Sequence, residues 1–222
     1  MGVQLPGWVW GGAGALAAVA GMVNAVGFLG FEHQAVTHMT GTSTLLATTV
    51  VHGDVRAVRQ LLGIIAAFVV GAVLSGMIIQ DSTLRLGRRY GVTLTIESLM
   101  LFATVPLFRY QPWLGAVMAA MACGLQNAMA TTFSGALVRT THLTGMFTDL
   151  GIGLGHALRR MPLPRRRLML SALIVCCFLA GSAVGAFLFL RIGYAALYVP
   201  ATLTGLVGVS YAIYRHWRPL PR

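Results

Sequence analysis

The chain has 222 residues, 57% hydrophobic and 9% charged, with a mean hydropathy of +0.78. A soluble domain carries about 25% charged residues, so an ordinary soluble globule and a disordered chain are both excluded. The charge is lopsided, with 16 Arg and no Lys against 5 acids, for a net +11. The arginines sit in short gaps between apolar runs, as topology signals do, and not on a polar face built for nucleic acid.

The first apolar run, residues 8–31, lacks a basic flank and is too long for a signal h-region, so it reads as a retained span. A segment at 36–53 follows, apolar but rich in Thr, Gly and His. Further runs lie at 57–80, 91–108 and 112–134, then a second Thr/Gly/His segment at 140–157, then runs at 167–190 and 193–214. A spanning helix needs about 20 mostly apolar residues. The expected fold is therefore all-α: a polytopic membrane helix bundle with six spans and two re-entrant or short helices, with eight spans as the alternative. Arginine counting places 12 on the side of the N-terminus and 4 opposite in the six-span reading, or 11 against 5 with eight. Both orientations put the N- and C-termini in the cytoplasm of a bacterial inner membrane. Trp8, Trp10, Trp113 and Trp217 fall near proposed span ends. Cys123, Cys176 and Cys177 lie inside apolar runs without metal-ligand spacing, as small hydrophobes do.

An internal repeat organises these runs into one membrane domain. Thr37–His52 (THMTGTSTLLATTVVH) aligns with Thr141–His156 (THLTGMFTDLGIGLGH) at an offset of 104, with seven identities in sixteen positions. Gly21-Met-Val-Asn24-Ala25 parallels Gly124-Leu-Gln-Asn127-Ala128, Phe68-xx-Gly71 parallels Phe178-xx-Gly181, and Thr93-Leu-Thr95 parallels Thr202-Leu-Thr204. Repeat one covers about 8–109 and repeat two about 112–214. Three spans per half invert the halves relative to each other, an arrangement common in transporters and channels; four make them parallel. In the six-span reading the THxTG segments enter from opposite faces and can meet near the midplane.

The polar residues of these segments are the candidate site. Thr40, Gly41 and Thr44, with their twins Thr144, Gly145 and Thr148, offer hydroxyls and close backbone approach to a solute. A helix starting near Thr40 or Thr144 aims its positive end beyond itself, which suits an anion or a polar neutral solute. The bland alternative is a tight helix crossing of small residues. His38 and His142 are candidate solute ligands or proton carriers, or structural groups bonded to carbonyls. Asn24, Gln126 and Asn127 suit a solute site and also glue helices. Arg139 is placed to clamp an anion or to anchor topology. Asp149 and Glu97 fall inside apolar runs, where a carboxylate is costly and marks function by default; they are the proton-coupling candidates. For Asp149 an ion pair with Arg139 or a helix cap competes; for Glu97, a protonated carboxyl hydrogen-bonded in the packing does. Gly71-xxx-Ser75, Gly151-xxx-Gly155 and Gly181-xxx-Gly185 read as packing pairs.

The stretches THMTGTSTLLATTVVHGD and GLQNAMATTFSGALVRTTHLTGMFTDLG resemble the YoaK-like family of multi-pass bacterial membrane proteins, a domain of unknown function sometimes labelled a predicted permease. The resemblance spans most of the chain. Thr42-Ser43 stands where that family commonly has Asn-Thr, and His142 where Tyr or Phe is frequent, so selectivity would differ here if the usual Asn touches a solute; the resemblance implies a multi-pass bacterial inner-membrane protein.

The leading expectation is a small secondary transporter or channel for a small polar or anionic solute, sited between the repeats. A non-catalytic membrane scaffold or sensor is the alternative. An intramembrane enzyme ranks below both, since no nucleophile elbow, zincin motif or Ser-Lys dyad occurs. No cofactor or metal is expected. The expected partners are membrane lipids, an unknown solute and a second copy in a homo-oligomer.

Overall fold

A computed structural model describes residues 7–31, 38–79, 88–134 and 141–217. The described chain is all helix: α1 (Gly7–Gly30), α2 (Met39–His52), α3 (Val55–Ile78), α4 (Arg88–Tyr110), α5 (Pro112–Ser134), α6 (Leu143–Leu158), α7 (Arg165–Ile192), a 3₁₀ turn (Gly193–Leu197) and α8 (Tyr198–Trp217). Each expected run and both Thr/Gly/His segments became a helix of their own.

Local chemistry sets the ends. Helix α2 stops where Gly53 enters the left-handed region at φ 74°, and α3 starts at once because the Asp54 side chain accepts from the Ala57 N–H at 3.0 Å, a carboxylate N-cap. Helix α5 opens on Pro112, whose missing N–H costs nothing at that position. Thr hydroxyls inside the helices donate one turn back, from Thr93 to Arg89 O, Thr104 to Met100 O and Thr131 to Asn127 O. That satisfies them where no water can.

Five stretches are long and apolar enough to cross a membrane: Val9–Gly30, Val55–Ile78, Arg89–Tyr110, Pro112–Thr132 and Arg165–Tyr214. The last has 50 residues and takes in both α7 and α8. A straight helix of that length extends roughly 75 Å against a hydrocarbon core of about 30 Å. The chain instead turns at the 3₁₀ segment, where Gly193 has φ 59°. Tyr194 there stacks on Phe108 of α4, centroids 4.4 Å apart and planes 7° off parallel. Its hydroxyl donates to the Gly30 carbonyl at the end of α1.

Three helix pairs build the bundle: α1 on α7, α3 on α5, and α4 on α8. Gly14 meets Cys177, Gly21 meets Phe178, Gly181 meets Ala18 and Gly185 meets Met22, so α1 and α7 run parallel. Gly63 meets Trp113, Gly71 meets Met121 and Gly124 meets Phe68, so α3 and α5 also run parallel. At Gly21, Gly71, Gly124 and Gly181 a Cβ would run into a backbone carbonyl of the neighbour. Only hydrogen fits there, and the backbones approach closely, which is how helices associate where lipid removes the hydrophobic drive. The α4–α8 pair is opposite in sense. Phe102 faces Tyr198, the Ser98 hydroxyl donates to the Ala201 carbonyl at 2.7 Å, and Gly91 meets Gly208 and Ala212, so these helices are antiparallel. Gly71 and the Gly181/Gly185 pair thus pack as expected. Gly151 and Gly155 do not, since nothing lies within 4 Å of a Cβ at either.

Helices α2 and α6 stand outside these pairs. Among the described residues the backbone of α2 lies along α3 and that of α6 along α7.

Candidate functional site

Helix α4 buries one face that carries Tyr90, Leu94, Glu97, Leu101, Val105 and Phe108, with Thr93, Ser98 and Thr104 beside them. The spacing of three and four residues keeps these on one face. Leu101, Val105 and Phe108 join an apolar cluster with Val23, Ile64, Ala67 and the alanines of α5. Tyr90 and Leu94 join a second cluster with Ile79, Met129 and the partly buried Leu16. Glu97 lies between the two clusters, near the middle of its helix.

The Glu97 carboxyl lies at the centre of a polar layer. On α5, Gln126 and Asn127 fall between Cys123 of one cluster and Met129 of the other; on α3, Ser75 falls between Ala67 and Ile79. Glu97 is 2% exposed and Gln126 1%. The Gln126 amide donates to the Leu16 carbonyl of α1 at 3.4 Å. Among the described residues, Glu97 Oε2, Asn127 Oδ1 and Ser75 Oγ are buried without a hydrogen-bond partner. Buried polar atoms are satisfied as a rule, and each exception calls for an explanation. Cys123 stands within electrostatic reach of Glu97. Ser98, next in the chain, ties this level of α4 to α8.

The THxTG residues are arranged differently. His38 and His142 are the residues preceding α2 and α6, and neither side chain caps its helix. Thr44 and Thr148 donate to the carbonyls of Thr40 and Thr144 at 3.1 and 2.9 Å, so both hydroxyl protons are used within their helices. Thr40 and Gly41 are exposed, as is Thr144. A Cβ at Gly41 would meet nothing within 4 Å, and one at Gly145 only its own His142 ring at 3.8 Å. These glycines therefore do not make a tight crossing. The His38 ring sits edge-on to Phe178 of α7, centroids 6.3 Å apart, and burial pulls its imidazole below the ordinary value. Leu143 and Met146 of α6 belong to the same apolar cluster as Phe178. His38 thus borders the cluster that α6 enters, although among the described residues the backbones of α2 and α6 do not come together. Asn24 is half-buried one turn beyond Gly21.

Asp149 accepts from Arg167 through both oxygens, Nη2 to Oδ1 at 2.7 Å and Nε to Oδ2 at 2.8 Å. Its partner is Arg167 in the first turn of α7; Arg139 lies outside the described residues. Among the described residues no three His, Cys, Asp or Glu side chains group as a metal site would.

Ser75, Ser98, Cys123 and Phe178 were not among the expected site residues. The α4 stripe was legible in the spacing of its residues, and extending it to the facing level of α5 and α3 leads to Cys123 and Ser75. Ser98 and Phe178 are set by tertiary crossings.

Comparison with curated proteins and with solved structures returns no match. Residues 12–210 match the model of the family described as Protein of unknown function (DUF1275). This membrane-spanning helical chain belongs to that family.

Proposed function

We propose that the protein is a small, non-enzymatic secondary transporter or channel for a small polar or anionic solute. The observation that carries this reading is the polar layer itself. Glu97, Asn127 and Ser75 hold unpartnered buried atoms at one level of the bundle, with apolar clusters on either side. A bundle that only needed to be stable would satisfy these groups or replace them with apolar ones.

The reading includes two inverted halves of three crossings each. Several packing facts support it. Gly21 against Phe178 and Gly124 against Phe68 are counterparts under the repeat, as are Gly181 against Ala18 and Gly71 against Met121. The antiparallel sense of α4 and α8 fits an odd number of crossings per half; four per half would run them the same way. Helices α2 and α6, with 14 and 16 residues, are about 21 and 24 Å long, short of a 30 Å core. They suit re-entrant segments whose N-terminal ends, with His38, Thr40, His142 and Thr144, border the solute path. The termini are cytoplasmic in this reading, in a bacterial inner membrane.

The test is solute flux into proteoliposomes across a panel of small anions and polar neutral solutes. Flux that falls at least tenfold in Asn127→Leu while the protein stays folded supports the reading. Absence of flux for the whole panel, or flux indifferent to Asn127, Thr40 and Thr144, overturns it.

A further inference from the structure

Two carboxylates lie within the apolar part of the chain, and their surroundings differ completely. Asp149 is held by both arms of one guanidinium. Among the described residues Glu97 has no cation beside it. Helix α5, against which its face packs, carries Cys123 as its only titratable side chain. On α8 the titratable groups are Tyr198 near one end and Tyr211, Tyr214, Arg215 and His216 near the other. The 3₁₀ turn offers Tyr194, and α3 has Arg56 and Arg59 in its first turns. On α4 itself, Arg88, Arg89 and Tyr90 lie toward one end and Arg109 and Tyr110 toward the other. Among the described residues, every arginine lies two turns or more from Glu97 along its own helix or toward an end of another element.

We propose that Glu97 is the proton-binding group of the bundle, taking up and releasing a proton within the polar layer while Asp149 serves only to tie α6 to α7. The geometry argues this from three sides. The carboxyl occupies the middle of a buried face whose other members are all uncharged: Tyr90, Leu94, Leu101, Val105 and Phe108, with the hydroxyls of Thr93, Ser98 and Thr104. One of its oxygens has no partner. Among the described residues no fixed cation faces it, so the charge change on losing a proton is not cancelled in advance, and the group responds to whatever cation or solute enters the layer. The twin position in the second half is apolar, near Leu206, so there is one such group per chain. As the coupling site of a transporter, Glu97 rests on the transporter reading; as a titrating group at membrane depth, it does not.

Carbodiimide labelling of the full-length protein in liposomes tests this. An apolar carbodiimide takes the acid proton onto nitrogen while the carboxyl oxygen bonds its central carbon. The adduct rearranges to an N-acylurea that keeps the mass of the whole reagent, with no group lost. Peptide mass spectrometry should find that mass on Glu97 and not on Asp149. Labelling should fall about tenfold per pH unit above the group's midpoint. Infrared difference spectra between low and high pH should show a carboxylic C=O band that Glu97→Gln removes and Asp149→Asn keeps. A Glu97 that neither labels nor changes its C=O band with pH, in protein of native helicity, overturns the proposal, as does a C=O band lost in Asp149→Asn. If Glu97→Gln does not fold, the labelling site in the native chain decides the matter by itself. A titrating Glu97 in liposomes without flux leaves this proposal standing and removes the transporter reading.

Discussion

The Asp149 carboxylate receives both of its hydrogen bonds from the Arg167 guanidinium, at 2.7 and 2.8 Å. The pair joins α6 to the first turn of α7 on an otherwise weakly attached helix. Arg167 is 65% exposed and Asp149 18%, so water and salt screen one partner far more than the other.

Asp149→Asn should therefore cost little stability, about 1 kcal/mol or less. The exchanged pair Asp149→Arg with Arg167→Asp should recover part of it. Thermal unfolding in detergent at low and high salt reads both, and the difference between native and variant should shrink with salt. A loss several times larger would mean that α6 is held by this contact alone.

The glycine crossings divide substitutions into two classes. Gly71→Ala, Gly124→Ala and Gly181→Ala each push a methyl group into a neighbouring carbonyl and should destabilise by about 1–3 kcal/mol. Gly41→Ala and Gly151→Ala meet open space and should be neutral or stabilise by up to about 1 kcal/mol, the helix preference for Ala over Gly. Unfolding midpoints of the five variants, measured side by side, should fall into these two groups.

Tyr194 makes two contacts that can be separated. Tyr194→Phe keeps the stack on Phe108 and loses the donor to Gly30 O, for about 1 kcal/mol. Tyr194→Ala loses both and should cost about 3–5 kcal/mol. If the two variants melt together, the ring contributes nothing and the hydroxyl alone holds the turn to α1.

The crossing number has a direct readout in a background freed of the native cysteines. His52→Cys, at the tip between α2 and α3, and Arg160→Cys, between α6 and α7, should react with an impermeant maleimide from opposite sides of the membrane. Labelling of both from the same side would restore the eight-crossing alternative.

Much of this architecture is legible in the chain itself, because a lipid-spanning helix is a long signal. The runs at 57–80 and 112–134 became Val55–Ile78 and Pro112–Ser134, their ends marked by Asp54 and Pro112. The start of α2 and α6 next to His38 and His142 is close to what Thr40 and Thr144 suggest. What is not legible is which faces meet. Gly151-xxx-Gly155 and Gly181-xxx-Gly185 have the same pattern, yet only the second lies in a crossing. The partner of Asp149 is 18 residues away across a hairpin, whereas local spacing favours Arg139. Glu97 stands out as an acid in an apolar run, but its lack of a partner depends on what α5 and α8 bring to it.

The pairing of α1 with α7 and α3 with α5 sets an order of assembly. Both early helices carry glycine faces whose partners are synthesised later, and α1 waits for nearly the whole chain. The first half enters lipid with its contact surfaces bare and packs only when the second half arrives. Two nascent copies made side by side present each other with identical late helices, so an exchanged dimer is the natural misassembly of this topology.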